Sequence, residues 1–507
     1  MKLNQVKAGA FLNLVSLMVS NLIPFVYTPI MLRLLGQSEY GLFGIANSFM
    51  GYLNLLNFGI SGTIVRYISK CRALNDKQGE ERMFGLFIKI YSVIGIAIMI
   101  AGTILAFNLG FYERSLTPDE LSLLKKLVLI MTFNTAVFLP LSPFSAIVTA
   151  HEKFVFSKCL GMLISILSPI INIILLYHGF GSLGLMFCST LSNIIGNVAY
   201  IFYVTKHLGI HPQFTKAPSG VLREIFGFSA FVFLGHVVDM LYWATDKLII
   251  GWAVGAVGTA VYNIGASFNV YITSISTAIS GVLMPRVTTM AVKDTPKDEF
   301  TNLFIKVGRL QFIIISFILS AFVAFGRQFI ALWAGPGYED AYVVALLTMI
   351  PVTIPLIQNT GLNILYAANK HKFRSIVYAV IAIANVVLTF WWVESYGIVG
   401  AAIATCIAYV IGNILIINWY YYKKIGIDIP LFWKNILKMS PVMFIMGTVW
   451  WFILDGVVFS GWMMFLGYAV IYTIIYCLLA YFFMLDQYEK DLLTGPVKKI
   501  FQKIRKR

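Results

Sequence analysis

Apolar residues run in long blocks along the chain, separated by short clusters rich in Lys, Arg, Gly and Pro. Fourteen blocks stand out, at 8–32, 40–66, 84–111, 123–150, 158–178, 183–205, 226–251, 258–285, 301–326, 341–368, 374–393, 398–421, 439–458 and 462–485. A helix needs about 20 apolar residues to cross the hydrocarbon core of a bilayer, and these blocks have that length. The first follows Lys2 and Lys7. It is too long for the roughly 7–15-residue apolar core of a signal peptide, and no small-residue cleavage site follows it. It reads as a retained span. The pattern predicts an all-α polytopic membrane protein with about 14 transmembrane helices.

Composition narrows the class. Of 507 residues, 59% are hydrophobic and 12% charged, and the mean hydropathy is +0.82. Soluble domains carry about twice that charge, so a soluble enzyme, a disordered chain and a disulfide scaffold are excluded. The net charge of +16 points to orientation rather than to nucleic acid. With a cytoplasmic N-terminus, 29 of the 38 Lys and Arg fall at the N-terminus, in inner loops or in the tail. That asymmetry agrees, loop by loop, with an even number of spans and both termini in the cytoplasm. In the tail, Val497, Ile500, Phe501 and Ile504 recur at helical spacing between basic residues, a pattern suited to lying on an anionic leaflet.

A repeat organises the spans. Shifted by 219 residues, Gly36, Ile45, Ser48, Phe49 and Gly62 fall on Gly255, Ile264, Ser267, Phe268 and Gly281. Shifted by 216, Gly181, Gly184, Ile195, Gly196 and Asn197 fall on Gly397, Gly400, Ile411, Gly412 and Asn413. The expected organisation is a six-helix lobe over 1–206, a cytoplasmic linker over 207–225, a second six-helix lobe over 226–422, two extra helices over 423–485 and a basic cytoplasmic tail over 486–507. Two halves with even span numbers share one orientation, and a transport path is expected between such repeats, with access alternating between the two sides.

Ionisable residues inside spans cost at least about 2.5–3.5 kcal/mol each at the membrane centre, so they mark cavities or partners. The block at 226–251 carries His236, Asp239, Asp246 and Lys247. Positions 236, 239 and 246 share one face of a continuous helix. His236 and Asp239 are candidates for coupling to a proton or sodium ion. Asp246 and Lys247 are candidates for the lumen wall, or for local charge neutralisation with snorkelling of the lysine. Lys89 lies near the inner start of its span, where snorkelling competes with a role in the lumen. Arg66 and Arg286 follow the matched Gly62 and Gly281 and mark inner helix ends. They are topology signals or a pair of phosphate-binding forks. Arg33 and Arg327 are their outer counterparts.

Prolines at 24, 29, 140, 143, 169, 351 and 355 interrupt spans and predict kinks. Intramembrane asparagines, among them Asn47, Asn54, Asn134, Asn172, Asn193 and Asn413, read as interhelical glue or as a wet, sugar-compatible lining. The five cysteines are widely spaced and suggest neither metal nor redox chemistry. No Walker loop, cofactor motif or catalytic outer domain is present in the sequence. A non-enzymatic carrier without cofactors is expected.

The run LRLLGQSEYGLFGIANSF at 32–49, the run TDKLIIGWAVGAVGTAVYNIG at 245–265 and the basic stretch RYISKCRALNDKQGEE at 66–81 resemble the polysaccharide-exporter branch of the multidrug and toxin extrusion superfamily. Fourteen spans, rather than twelve, make the chain similar to its Wzx-type lipid-linked oligosaccharide flippases. Asp246 and Lys247 match an acid–base pair common in that branch, whereas His236 and Asp239 match no motif. The resemblance implies flipping of undecaprenyl-diphosphate-linked repeat units of O-antigen, capsule or exopolysaccharide across the bacterial cytoplasmic membrane. A polysaccharide polymerase and a chain-length regulator would be partners. The alternative is a cation-coupled multidrug antiporter.

Overall fold

The computed structural model describes residues 5–57, 60–215, 220–281, 287, 289–290, 296–367 and 370–491. Arg286 and the basic tail beyond Asp491 lie outside the described residues. Helix dominates the described residues, with no β-strand among them. The chain is a multi-pass membrane protein. Eight described helices are long and apolar enough to cross a membrane, or ten if each of two bent pairs is one span.

Two compact units emerge, Met1–Asn263 with Thr389–Ala401, and Ile264–Leu388 with Ala402–Arg507. The first contains α1 (Gln5–Leu35), α2 (Gln37–Asn54), α3 (Ile60–Ala73), α4 (Lys77–Phe107), α5 (Pro118–Phe138), α6 (Ser142–Ala150), α7 (Phe154–Tyr177), α8 (Gly181–Phe202), α9 (Val221–Trp243) and α10 (Thr245–Ala253). It also holds the start of α11 (Ala256–Gly281). The second contains α12 (Lys297–Trp333), α13 (Ala341–Ile357), α14 (Asn359–Ala367), most of α15 (His371–Tyr409), α16 (Ile429–Leu437), α17 (Ser440–Leu454) and α18 (Trp462–Leu479).

Local chemistry explains the helix boundaries. Asp76 caps α4 by accepting from the Gly79 amide at 2.8 Å. Thr117 and Glu120 form a reciprocal capping box at α5, which has Pro118 in its first turn. Pro140 lies within the tightened turn Leu139–Leu141 that separates α5 from α6, and Pro143 follows in the first turn of α6, because a ring nitrogen cannot donate to the helical ladder. Pro351 and Pro355 precede the 48° bend between α13 and α14. Such breaks, with the tightened turn at Leu55–Asn57 and the break at Ala244, turn several apolar blocks into shorter pieces. The opposite occurs in the stretch Lys372–Ile425, which is 54 residues long. A straight helix of that length would reach about 81 Å, far beyond a bilayer core of roughly 30 Å. Gly397 divides it, with φ 57° and ψ −139° inside α15.

The duplication is visible in backbone detail. Gly36 and Gly255 both have positive φ (81° and 96°), as do Gly181 and Gly397 (54° and 57°). Phe156 stacks on Tyr203 in the first unit, and Phe373 stacks on Tyr420 in the second, at ring separations of 4.0 and 4.3 Å. In the first unit, α2 lies so close to the start of α11 that a Cβ on Gly41 would meet the Ala256 carbonyl at 1.8 Å. In the second, Phe325 of α12, Trp450 of α17 and Tyr472 of α18 pack mutually at 5.3–5.8 Å. This seats both helices beyond the duplication on α12.

Candidate functional site

Helices α1, α2, α5, α7 and α8 surround a cavity of about 860 Å³ in the first unit. Its wall mixes amides and hydroxyls with aromatic and thioether groups, and no charged residue lines it among the described residues. Asn47 and Asn54 come from α2, Asn134 and Thr135 from α5, Ser168 and Asn172 from α7, and Ser189, Ser192 and Asn193 from α8. Tyr27, Tyr40 and Phe43 provide flat faces, and Met31, Met50, Met131 and Met186 provide adaptable apolar ones. Pro24 of α1 and Pro169 of α7 also face the space.

Part of this polar lining is already satisfied. Asn134 exchanges hydrogen bonds with Thr190 at 2.8 and 3.0 Å. Ser168 and Ser192 meet at 2.9 Å, and the Cys188 thiol donates to the Ser168 carbonyl at 3.4 Å. The Tyr27 hydroxyl and the Asn172 amide oxygen are neighbours, but neither makes a well-formed hydrogen bond. These groups supply both donors and acceptors without net charge, which is the chemistry that suits sugar hydroxyls.

Charged residues singled out from the sequence lie elsewhere. Arg33 is exposed in the last turn of α1, and Arg66 is exposed on α3. In the second unit, Arg327 lies over the Tyr342 ring at 5.3 Å. Lys89 of α4 donates to the carbonyls of Phe214 and Thr215 at 3.1 and 3.2 Å, while Gln213 binds Glu81 through its amide side chain at 2.6 Å. Lys89 thus fastens the segment after α8 to α4.

The expectation of one continuous face through His236, Asp239 and Asp246 does not hold. The helix breaks at Ala244, between α9 and α10. The Ala244 amide still donates to the Met240 carbonyl at 2.9 Å, and the hydroxyls of Tyr52 and Thr245 crowd the same oxygen at 3.4 Å each. His236 and Asp239 lie exposed on α9, whereas Asp246 is 1% exposed in the first turn of α10. Tyr262 donates to Asp246 Oδ2 at 2.7 Å and Thr389 to Oδ1 at 3.1 Å. Lys247 is partly buried beside it. Sequence reasoning reached the cavity only through its asparagines. The serines of α7 and α8 were missed, since Ser and Thr in apolar helices ordinarily bond to a preceding carbonyl.

The arrangement is that of a polytopic carrier with a neutral polar pocket in one lobe. The fold is shared with a lipid II flippase, MurJ, in an inward closed conformation (TM-score 0.73, 15% identity, 97% of this chain and 99% of that one). It is also shared with an inward-facing multidrug resistance transporter of the multidrug and toxin extrusion family (TM-score 0.65, 14% identity, 84% and 99%). In sequence, the chain is 22% identical to a putative O-antigen transporter of Shigella flexneri, over 82% of this chain and 97% of that one. It is 20% identical to a probable flippase, AglR, of Haloferax volcanii, over 76% and 77%. Residues 6–291 match the polysaccharide biosynthesis protein family, and the chain belongs to that family.

Proposed function

We propose that this protein is a lipid-linked oligosaccharide flippase of the bacterial cytoplasmic membrane, with both termini in the cytoplasm. The observation that carries the reading is the cavity of about 860 Å³, walled by neutral amides and hydroxyls, inside a membrane-spanning lobe. A sugar head offers many weak donors and acceptors and needs such a wall. Its polyisoprenoid tail gains nothing from leaving lipid. No bond is made or broken, so the function needs binding and alternating access rather than catalysis. Polysaccharide polymerase and chain-length regulator are the partners this activity implies.

In this reading Arg66 and Arg286 meet the diphosphate at the inner side. His236 and Asp239 are the candidate proton or sodium carriers for the return step. The fold match to a multidrug transporter supports a small-molecule antiporter as a second reading. The absence of any carboxylate from the cavity wall among the described residues counts against organic cations there. The test is deletion of the gene with labelling of surface glycan and of inner-leaflet precursor. Loss of surface polysaccharide with build-up of precursor is expected. Normal surface glycan without build-up, in a strain with no second flippase, overturns the proposal.

A further inference from the structure

A second, much smaller chamber lies within the second unit. It is lined by Pro355, Gln358 and Leu362 at the α13–α14 bend, by Arg374 and Tyr378 in the first turns of α15, and by Asn413 and Tyr421 further along that stretch. Its volume is about 20 Å³. A single water needs roughly 10–15 Å³ on this measure, so the chamber holds one or two water-sized groups.

The lining has an excess of donors. Arg374 is half-buried and stacks on the Tyr378 ring at 4.1 Å. No carboxylate among the described residues lies within ion-pair distance of it, and the polar groups that act on it are tyrosines. Tyr378 donates its hydroxyl to Asn413 Oδ1. Asn413 is 2% exposed, and its Nδ2 has no hydrogen-bond partner. Gln358, 3% exposed, donates from Nε2 to Asn418 Oδ1 at 2.8 Å. Around the chamber the backbone is wound as a π-helix at Val410–Ile417 and Tyr421–Ile425, a costly form that concentrates at functional sites. Arg374 also sits in the opening turn of a long helix, where the backbone dipole adds positive potential.

A half-buried guanidinium without a counter-charge is unfavourable, and the fully buried, unsatisfied Asn413 amide beside it adds to the cost. Both are relieved by one small anion. We propose that this chamber binds a halide-sized anion, held by Arg374 and the Asn413 amide, which fixes the bend between α13 and α14 against α15. A whole phosphate exceeds the space, which separates this site from recognition of the lipid diphosphate. The inference is independent of which lipid or sugar the protein moves.

The test uses the full-length protein in nanodiscs and its thermal unfolding in sodium chloride, bromide, phosphate and gluconate at fixed ionic strength. Chloride and bromide are expected to raise the melting temperature of the wild type by a few degrees in a saturable manner, with phosphate and gluconate giving no such rise. Arg374→Gln should abolish the halide response. Asn413→Asp should supply the anion internally: that variant should match in gluconate the stability of the wild type in chloride, and should ignore halide. An absent halide response, one shared by wild type and Arg374→Gln, one produced by phosphate alone, or one retained in Asn413→Asp overturns the proposal.

Discussion

Replacing Glu489 with Gln tests how the end of the chain is fastened to α12. Arg309, 8% exposed on α12, makes a two-pronged contact with Glu489, which is 3% exposed. Nε donates to Oε1 at 2.8 Å and Nη2 to Oε2 at 2.7 Å, and Nη2 also reaches the Met484 carbonyl at 3.0 Å. Removing one partner of such a pair costs about 3–5 kcal/mol, because the other charge stays buried. Asp486 remains 3.5 Å from Nε, but its side chain is 50% exposed, and an exposed partner returns at most about 1 kcal/mol. Glu489 also accepts from the Asp486 amide at 2.9 Å while Asp486 accepts from the Glu489 amide at 2.8 Å. Gln preserves this reciprocal cap and isolates the charge. The expected loss for Glu489→Gln is therefore about 2–4 kcal/mol, with Glu489→Ala losing about 1 kcal/mol more through the cap. The assay is denaturant unfolding in nanodiscs, repeated at high salt. A buried pair should give a salt-independent loss. Arg309→Met combined with Glu489→Leu should recover most of the stability, since no lone charge remains. A loss below about 0.5 kcal/mol for Glu489→Gln, or a double variant worse than the sum of its singles, refutes the reasoning.

Three further outcomes follow from the geometry. Asp246→Asn turns one of two oxygens that accept hydroxyl hydrogens into a donor; the expected cost is about 1–3 kcal/mol, read as a lower melting temperature. Gly397→Ala forces a Cβ into a φ 57°, ψ −139° conformation and should cost about 1–3 kcal/mol, seen in the same measurement. Ser192→Phe places a ring in the neutral cavity and should sharply reduce surface glycan at matched protein abundance, whereas Val458→Phe at an 88% exposed position should leave it unchanged.

The helices were legible because burial in lipid imposes long apolar runs, and the breaks at Pro140, Pro143 and after Pro355 were legible because proline cannot donate. The break at Ala244 was not, since neither proline nor glycine marks it in the run Leu241-Tyr242-Trp243-Ala244-Thr245. The repeat showed as matched glycines, and at two of the pairs, Gly36 with Gly255 and Gly181 with Gly397, a shared positive φ explains why glycine stands at both copies. The cavity was only half legible. Charges draw attention because each is costly in a membrane, yet Asp246, Lys89 and Arg309 have that cost met by hydroxyls, carbonyls and a carboxylate. The lining itself consists of Ser, Thr and Asn, which are cheap enough to occur anywhere in a helix bundle.

The Arg309–Glu489 clasp spans 180 residues of chain, and that separation has a consequence for biogenesis. At about 5–20 residues per second, the ribosome needs roughly 9–36 s to supply the partner after Arg309 has been made. During that interval α12 must enter the bilayer with a bare guanidinium, held near the interface or by the insertion machinery. α18 and the turn beyond it therefore complete the seating of α12. A chain cut short before Glu489 leaves a charged, loosely seated helix in the membrane, the kind of defect that membrane proteases recognise.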